Sequence, residues 1–540
     1  MGMKICNINE QVKTKRRIQA LPHVGKPQTL GTMKPLLQIL FFSPLLVSAF
    51  NASGKQEQDP DNLNFLTIGG GYSPSGNQVS LEKNVQYLNR MLIKEDLGDA
   101  PHSVYFADGD SDGRDLQYLD PKFKIPKINE YLARFVGSTK GIQNQYRSHE
   151  LDTDGASKSA NIAKWFDTKG KKLCDEKDKL LVYFTGHGGR GEKKKPHNTV
   201  MYLWQDKNLR VSEFVKELDK LPTEVPVTVV MVQCYSGGFA NIIFNEGDAD
   251  KGLTDHTRAG FCATLHTRLA AGCTPDINEA NYREYSTYFW EALFGETRLG
   301  KKVKKPDYDG DGKTSYAEAH AYTILKSSTI DIPVKTSDAF LRHFSRTKNP
   351  EKGKKVEGLL TTETSYSTLL KKAGINEKTI LEGLSRELKI SGDNKGKAAR
   401  EGSKKVEEAK KKLNTEKGKL TGERNKLKGT LAGVIKRDWP EVANAYHPAT
   451  SSLLNDKAKY WKLVAQLESH KDFKKYMDLS RKIDVLSRKV HDEDRKWVKY
   501  QRFLRTLENV ALEANMPKVV EDCTILDRYK SLLREESSTL

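Results

Sequence analysis

A histidine and a cysteine each follow a separate apolar run, inside a glycine-rich turn. His187 lies within Thr-Gly-His-Gly-Gly after the run 180–184, and Cys234 lies within Gln-Cys-Tyr-Ser-Gly-Gly after the run 227–232. The glycines allow a sharp turn that exposes the side chain and brings amide N–H groups close to a substrate oxygen. A thiol near an imidazole can act as a nucleophile. Either motif alone is more often a turn or a buried side chain, but the two together predict a Cys-His catalytic pair.

A second set of polar side chains occupies residues 307–318. Oxygen ligands stand at positions 1, 3, 5, 9 and 12 of this twelve-residue loop, with glycine at position 6 and a backbone carbonyl at position 7, as in an EF-hand. The predicted ligands are Asp307, Asp309, Asp311, Lys313, Ser315 and Glu318. Hard oxygen ligands favour Ca²⁺ over Zn²⁺, and an acidic turn without metal is the alternative. A weaker copy begins at Asp108 and has Leu119 at its twelfth position.

Apolar runs alternate with helical periods from residue 63, which indicates an α/β domain with a mainly parallel sheet. The predicted strands are 63–68, 102–107, 179–185, 225–232 and 261–266, and the predicted helices are 80–93, 157–167, 211–220, 237–245 and 284–294. In open parallel sheets, the loops at the carboxyl ends of the strands converge on one crevice. We therefore expect His187 and Cys234 to lie at the same edge of the sheet.

The chain becomes rich in lysine and glutamate beyond residue 345. Residues 351–540 contain 42 Lys and Arg against 29 Asp and Glu, so 42 − 29 = +13 of the net charge of +19 lies there. A heptad stripe from Val406 to Val434 is interrupted by glycines, whereas 460–510 is more clearly amphipathic. We predict a basic α-helical region over 350–540. It either covers the active-site edge or docks the protein on an anionic envelope surface, and nucleic acid is not favoured because no recognisable module accompanies the charge.

The apolar run 35–49 follows Met33-Lys34 and ends in Val-Ser-Ala, the layout of a secretory signal peptide over 33–49. The run is too short for a normal membrane span. Residues 1–32 form an unusually long basic extension, for which a translation start at Met33 is the simplest explanation, and 50–62 is typical of a linker. The expected location is secreted, periplasmic or at the cell envelope, with no transmembrane helix beyond the signal peptide.

Cleavage after Ala49 would leave five cysteines, and an odd number in an exported protein leaves at least one free thiol. Cys234 is the candidate for that thiol. Cys262 and Cys273 either pair with each other or are buried separately, and their apolar surroundings favour the second.

The strand and motif 180–189 and the strand and motif 230–238 resemble the histidine and cysteine motifs of the legumain family, within the wider caspase, metacaspase and clostripain group. Residues 62–68 and 285–290 add support. The resemblance covers roughly 63–330 and implies a caspase-hemoglobinase-like α/β peptidase domain over 63–345. It further implies that Cys234 attacks the scissile carbonyl, that His187 acts as acid and base, and that the amides of Gly188 and Cys234 form the oxyanion hole.

Specificity departs from that family pattern. Val232 stands two residues before the nucleophile, where legumain has Glu and caspases have Gln, so cleavage after Asn or Asp is not predicted. Residues that could instead line a substrate pocket, with solvated loop charges as the alternative, are Gln233, Asp276, Glu279 and Glu284. The expected reaction is hydrolysis of protein or peptide by a cysteine endopeptidase. The alternatives are a transpeptidase or ligase of the same fold, and a catalytically silent scaffold that acts through its basic tail.

Overall fold

Consecutive buried residues of the strand that precedes His187 pack against opposite faces of a sheet. Leu180, Val182 and Phe184 join one hydrophobic core, and Leu181 and Tyr183 join another. A strand whose side chains are buried on both faces has a continuous apolar sequence, as this one does. The computed structural model describes residues 62–345, 356–444 and 447–540, and residues 58–540 form one compact unit.

The described strands are β1 (Leu63–Gly70), β2 (His102–Phe106), β3 (Leu116–Leu119), β4 (Asn144–Arg147), β5 (Lys179–Gly186), β6 (Gly188–Gly189), β7 (Val200–Met201), β8 (Leu209–Arg210), β9 (Val227–Val232), β10 (Arg258–Cys262) and β11 (Val334–Lys335). The described α-helices are α1 (Val79–Lys94), α2 (Lys127–Phe135), α3 (Ser159–Thr168), α4 (Val211–Leu218), α5 (Tyr285–Phe294), α6 (Tyr316–Lys326), α7 (Thr336–Phe344), α8 (Tyr366–Leu370), α9 (Ile375–Glu387), α10 (Lys395–Asp438), α11 (Ala449–Asn455), α12 (Lys457–Ser469), α13 (Phe473–Val519) and α14 (Cys523–Glu536).

Six of these strands form the main sheet, in the order β11-β10-β9-β5-β1-β2. All neighbouring pairs are parallel except β10 and β11. Helices α3 and α4 cover one face, and α1, α5 and α6 cover the other. The predicted α/β class with a mainly parallel sheet and a long C-terminal helical region is confirmed.

Two predicted elements differ from the structure. Strand β10 begins at Arg258, three residues before the predicted start, because the Arg258 side chain is buried and paired with Asp219 at 2.7 Å. A charged residue is not expected in a buried strand, so the apolar pattern did not indicate that the strand begins at Arg258. The helix predicted over 237–245 is a 3₁₀ helix over Ser236–Ile243.

Helices α10 and α13 form a long antiparallel hairpin. Gln501 bonds to Ser403 at 2.8 Å, while Lys410 bonds to Asp494 nearer the middle of α13. One end of the hairpin packs with α11, α12 and α2, an insertion from the first half of the chain, in a shared apolar core. The other end packs against α7 and α9, and it shares an apolar core with α6. The C-terminal helices are therefore built into the same unit as the sheet.

Among the described residues, none of the helices has the length and hydropathy needed to cross a membrane. The predicted extension 1–32, the signal peptide 33–49 and the linker as far as residue 61 lie outside the described residues.

Candidate active site

His187 and Cys234 lie beyond the ends of adjacent parallel strands. Thr185 of β5 is in register with Val232 of β9, so His187 and Cys234 each stand two residues past a matched pair. The two turns also touch. A Cβ atom at Gly188 would lie 2.2 Å from the Cys234 carbonyl oxygen, which leaves space for glycine alone. The sheet therefore brings the two predicted catalytic motifs together at its carboxyl edge.

The loop before α1 fixes the His187 imidazole. Nε2 lies 2.8 Å from the Gly76 carbonyl oxygen and 2.9 Å from Gln78 Oε1. Both partners are acceptors, so Nε2 carries the proton and Nδ1 keeps a lone pair. The Gln78 amide is itself oriented, because its Nε2 donates to Gln117 Oε1 at 3.3 Å. His187 is thereby set as the neutral tautomer that can accept a proton at Nδ1.

The loop after β10 borders the Cys234 thiol. The Ala270 amide nitrogen lies 3.4 Å from Cys234 Sγ, and the Ala270 carbonyl oxygen lies 4.0 Å from it. Tyr235, the residue after Cys234, has a φ of 62°. This left-handed backbone conformation is uncommon for a residue with a bulky side chain. Strain of this kind concentrates where surrounding structure must hold a functional group in place.

Burial disfavours charge on both members of the pair. Burial lowers the pKa of His187, and the hydrogen bond to the Gly76 carbonyl has a smaller, opposite effect. Burial also raises the pKa of the Cys234 thiol, which the Ala270 amide lowers and the charge of Asp331 raises. Among the described residues, neither side chain is hydrogen-bonded to the other. The resting pair is therefore a neutral thiol and a neutral imidazole, each held by its own loop.

The residues that the sequence suggested for substrate binding are either buried or already paired with other side chains. Gln233 is 1% exposed, and neither of its amide atoms has a hydrogen-bond partner among the described residues. Asp276 accepts from Asn281 Nδ2 at 2.6 Å. Glu279 and Glu284 both pair with Arg298, at 3.6 and 3.2 Å. These acids brace the loops at this edge, and their role in specificity stays a prediction.

Helix α13 also contacts the nucleophile's surroundings. The guanidinium of Arg268, in the same loop as Ala270, lies 4.8 Å from the Trp497 ring centroid and 3.5 Å from Asp494. At this contact the net-basic C-terminal region supplies the acid, Asp494, and the loop supplies the base, Arg268. The hairpin reaches the edge of the sheet that carries the site.

The acidic loop brings three predicted metal ligands together. Asp307, Asp309 and Asp311 each place a carboxylate oxygen within 4.8 Å of the others, and all three are exposed. Glu318, however, is buried and accepts from the amide and hydroxyl of Ser315 at 2.8 and 3.0 Å, capping α6.

Three converging carboxylates and the Lys313 position fit a hard cation. Glu318 and Ser315 occupy the twelfth and ninth positions. To bind the ion, they would have to break the hydrogen bonds that join them to each other. The residues thus fit Ca²⁺ in part. The weaker copy at Asp108 instead lies next to His149, with Asp115 beside them.

All described cysteines are unpaired. Cys262 is fully buried, and Cys273 Sγ lies 3.7 Å from the Gly186 carbonyl oxygen. Both thiols are unpaired, as the sequence favoured, but only Cys262 is fully buried and Cys273 is partly buried. Sequence reasoning missed Gly76, Gln78 and Ala270, which contact His187 or Cys234 from segments with no motif of their own, and Asp331, which bonds to the neighbouring Ala271.

No protein-family model matches this chain, and no curated protein sequence does. Among solved structures, a crystal structure of protein GSU0716 from Geobacter sulfurreducens is similar over 49% of this chain and 88% of that chain, with 11% identity and a TM-score of 0.27. A similarity at this level carries no argument about fold or function.

Proposed function

We propose that this chain is a caspase-like cysteine peptidase of the legumain kind, with Cys234 as nucleophile and His187 as general acid and base. One observation carries the proposal: both residues lie two positions past a matched pair at the ends of adjacent parallel strands, in turns that contact each other. A neutral imidazole with its free nitrogen at Nδ1 and a thiol beside a backbone amide provide the two groups that acyl transfer requires.

In the proposed reaction, Cys234 Sγ attacks the substrate carbonyl carbon while the thiol proton passes to His187 Nδ1. The carbonyl oxygen becomes an oxyanion, which the amides of Gly188 and Cys234 stabilise. Collapse of this intermediate breaks the C–N bond, and His187 gives its proton to the leaving amine. Water then attacks the thioester, giving its proton to His187, and the thiol leaves with that proton.

The neutral resting pair supports a concerted proton transfer. Burial holds the pKa of His187 down and that of Cys234 up, so a preformed thiolate–imidazolium pair is disfavoured before substrate arrives. Substrate and His187 together must draw the proton away during attack. The thioester can also be resolved by an amine, which makes transpeptidation the second reaction of the same site.

Alanine at each catalytic position tests the proposal. Cys234→Ala should abolish turnover of a peptide library, and His187→Ala should reduce it by at least about 100-fold, the size of a general acid–base contribution. Cys174→Ala is the matched control, since Cys174 is an exposed thiol. Adding a free amine and analysing the products separates hydrolysis from transpeptidation.

A thiol-directed peptide probe gives an independent measurement. We expect it to label Cys234 and not Cys174 or Cys523, because of these three thiols only Cys234 lies beside the histidine-bearing turn. Peptide turnover at the wild-type rate in either variant would contradict the assignment. Absence of both turnover and labelling in the wild type would favour a silent scaffold.

We further propose that the loop 307–318 binds Ca²⁺ and that the protein is exported. The first proposal is supported by the convergence of Asp307, Asp309 and Asp311. The second is supported by the signal-peptide pattern of 33–49. Docking on an anionic envelope surface through the basic helices remains a proposal that the net charge of residues 351–540 supports.

A further inference from the structure

A buried aspartate lies on the far side of the loop that borders Cys234. Asp331 is 1% exposed, and its Oδ1 accepts from the Ala271 amide at 2.7 Å. The preceding amide, that of Ala270, is the group that lies 3.4 Å from Cys234 Sγ. Consecutive amides of one short segment therefore connect the aspartate to the nucleophile.

The C-terminal region holds this aspartate in position. The Arg502 guanidinium of α13 is buried and donates to the Asp331 backbone carbonyl at 2.8 Å. It also donates to the carbonyls of Ile324 and Ser327 at 2.8 Å, and to Thr329 Oγ1 at 3.1 Å. Four bonds from one rigid guanidinium fix the chain segment that carries Asp331.

The charge of Asp331 acts on two neighbours, the Arg502 guanidinium and the Cys234 thiol. Burial raises the pKa of Asp331 to about 7, and the Ala271 amide and the charge of Arg502 lower it. Asp331 Oδ2 has no hydrogen-bond partner among the described residues, and the Arg502 bonds go to backbone carbonyls and a hydroxyl. A buried carboxylate with an unsatisfied oxygen costs folding free energy, whereas an asparagine would offer the same acceptor without the charge. At the neighbouring thiol, the charge of Asp331 raises the pKa of Cys234.

We propose that Asp331 is a positioning residue for the nucleophile: its carboxylate holds the backbone at 270–271 so that the Ala270 amide meets Cys234 Sγ, and Arg502 fixes Asp331 from the C-terminal helix. The inference rests on the proposed function. It assigns to the helical region a part in building the active site.

Two variants separate the acceptor from the charge. Asp331→Asn keeps an oxygen for Ala271 and removes the charge, whereas Asp331→Ala removes both. Asp338→Asn is the control, because Asp338 is also a buried aspartate but bonds to Arg505 and Asn509 instead of the 270–271 segment. The assay is the rate of iodoacetamide alkylation of Cys234 in the full chain, followed across pH by mass spectrometry of its peptide. It needs no substrate, so it reports on the inference even where peptide turnover is absent.

We expect Asp331→Asn to move the alkylation midpoint of Cys234 down by about half a pH unit or more, since a nearby negative charge is lost. Asp331→Ala should have a higher midpoint than Asp331→Asn, because the thiolate then also loses the Ala270 amide. Asp338→Asn should lower the melting temperature and leave the Cys234 midpoint unchanged.

A wild-type midpoint in both Asp331→Asn and Asp331→Ala, or equal shifts in Asp331→Asn and Asp338→Asn, would overturn the inference and leave Asp331 a purely structural residue. Equal midpoints in Asp331→Asn and Asp331→Ala would overturn the positioning role. The comparison of the two asparagine variants decides the question where Asp331→Ala does not fold.

Discussion

Replacing Glu536 by alanine should strongly destabilise the whole unit. Glu536 lies at the end of α14, is 0% exposed and accepts from the Ser337 amide and hydroxyl at 2.7 and 2.8 Å. It also accepts from Thr336 Oγ1 at 2.8 Å and pairs with Lys335 at 3.0 Å. A residue near the end of the chain is thus the main polar anchor of β11 and of the start of α7.

The magnitude follows from what the truncation leaves behind. The Lys335 side chain is 13% exposed, and its remaining acidic partner is Glu377, at 3.6 Å. Removing one member of a buried ion pair costs about 3–5 kcal/mol, and each buried donor left unsatisfied costs about 1–3 kcal/mol when counted alone. These costs overlap in one network, so we expect a loss of about 3–5 kcal/mol in the free energy of unfolding. Glu536→Gln should lose less, since it keeps one acceptor oxygen.

Urea unfolding followed by tryptophan fluorescence measures this loss. Glu521→Ala is the control, because Glu521 is an exposed acid just before α14, and surface substitutions usually stay within about 0.5 kcal/mol. If Glu536→Ala and Glu521→Ala unfold at the same urea concentration, α14 is not anchored through Glu536 and the reasoning is wrong.

Three further predictions concern protonation, orientation and metal. Burial lowers the pKa of His320 from 6.5 to about 3; the folded protein keeps this side chain neutral, so stability present above pH 6.5 is lost as pH falls toward 3. We expect about 2 kcal/mol less stability at pH 5 than at pH 7 from this residue, and His320→Gln should show a correspondingly flatter pH dependence in urea unfolding; equal slopes would contradict this. Gln78→Ala should reduce kcat for peptide hydrolysis roughly 10-fold, the worth of one hydrogen bond to His187, with Gln86→Ala on α1 as the control; an unchanged kcat would exclude Gln78 from orienting the imidazole. Ca²⁺ at about 100 times its Kd should stabilise the protein by about 2.7 kcal/mol. Asp309→Asn should reduce this stabilisation, and because Asp309 is exposed, the substitution does not also remove the cap of α6, as Glu318→Gln would. A melting temperature that changes with neither Ca²⁺ nor chelator would refute the site.

The sequence predicted the parts of this molecule that local pattern determines. Strands β5 and β9 are continuous apolar runs, so their amino acids alone indicate where each strand ends and which residues follow it as catalytic candidates. Strand β11 has only two residues, and β3 and β4 have four residues each, so these strands are too short for a period to be detected.

Gln78 and Asp331 could not have been identified from pattern. Gln78 is 109 residues from His187, and Arg502 is 171 residues from Asp331. Contacts of that separation depend on how loops and helices pack. The same holds for α2, whose apolar face is covered by helices more than 290 residues further along the chain. The amphipathic period of the tail predicted helices, but their partners were set by the tertiary structure.

The attachment of α14 has a consequence for how the protein is made. Glu536 bonds to Thr336, 200 residues earlier in the chain, and the Ser538 carbonyl accepts from the Tyr316 amide at 3.0 Å, so the sheet and α6 are completed by residues synthesised well after them. Residues 346–540 number 540 − 345 = 195, which at about 5–20 residues per second takes roughly 10–40 s to translate. During that interval, the nascent chain carries both catalytic motifs without the segments that hold β11, Asp331 and the loop beside Cys234. A growing polypeptide therefore completes the surroundings of the proposed nucleophile only after α13 and α14 have been synthesised.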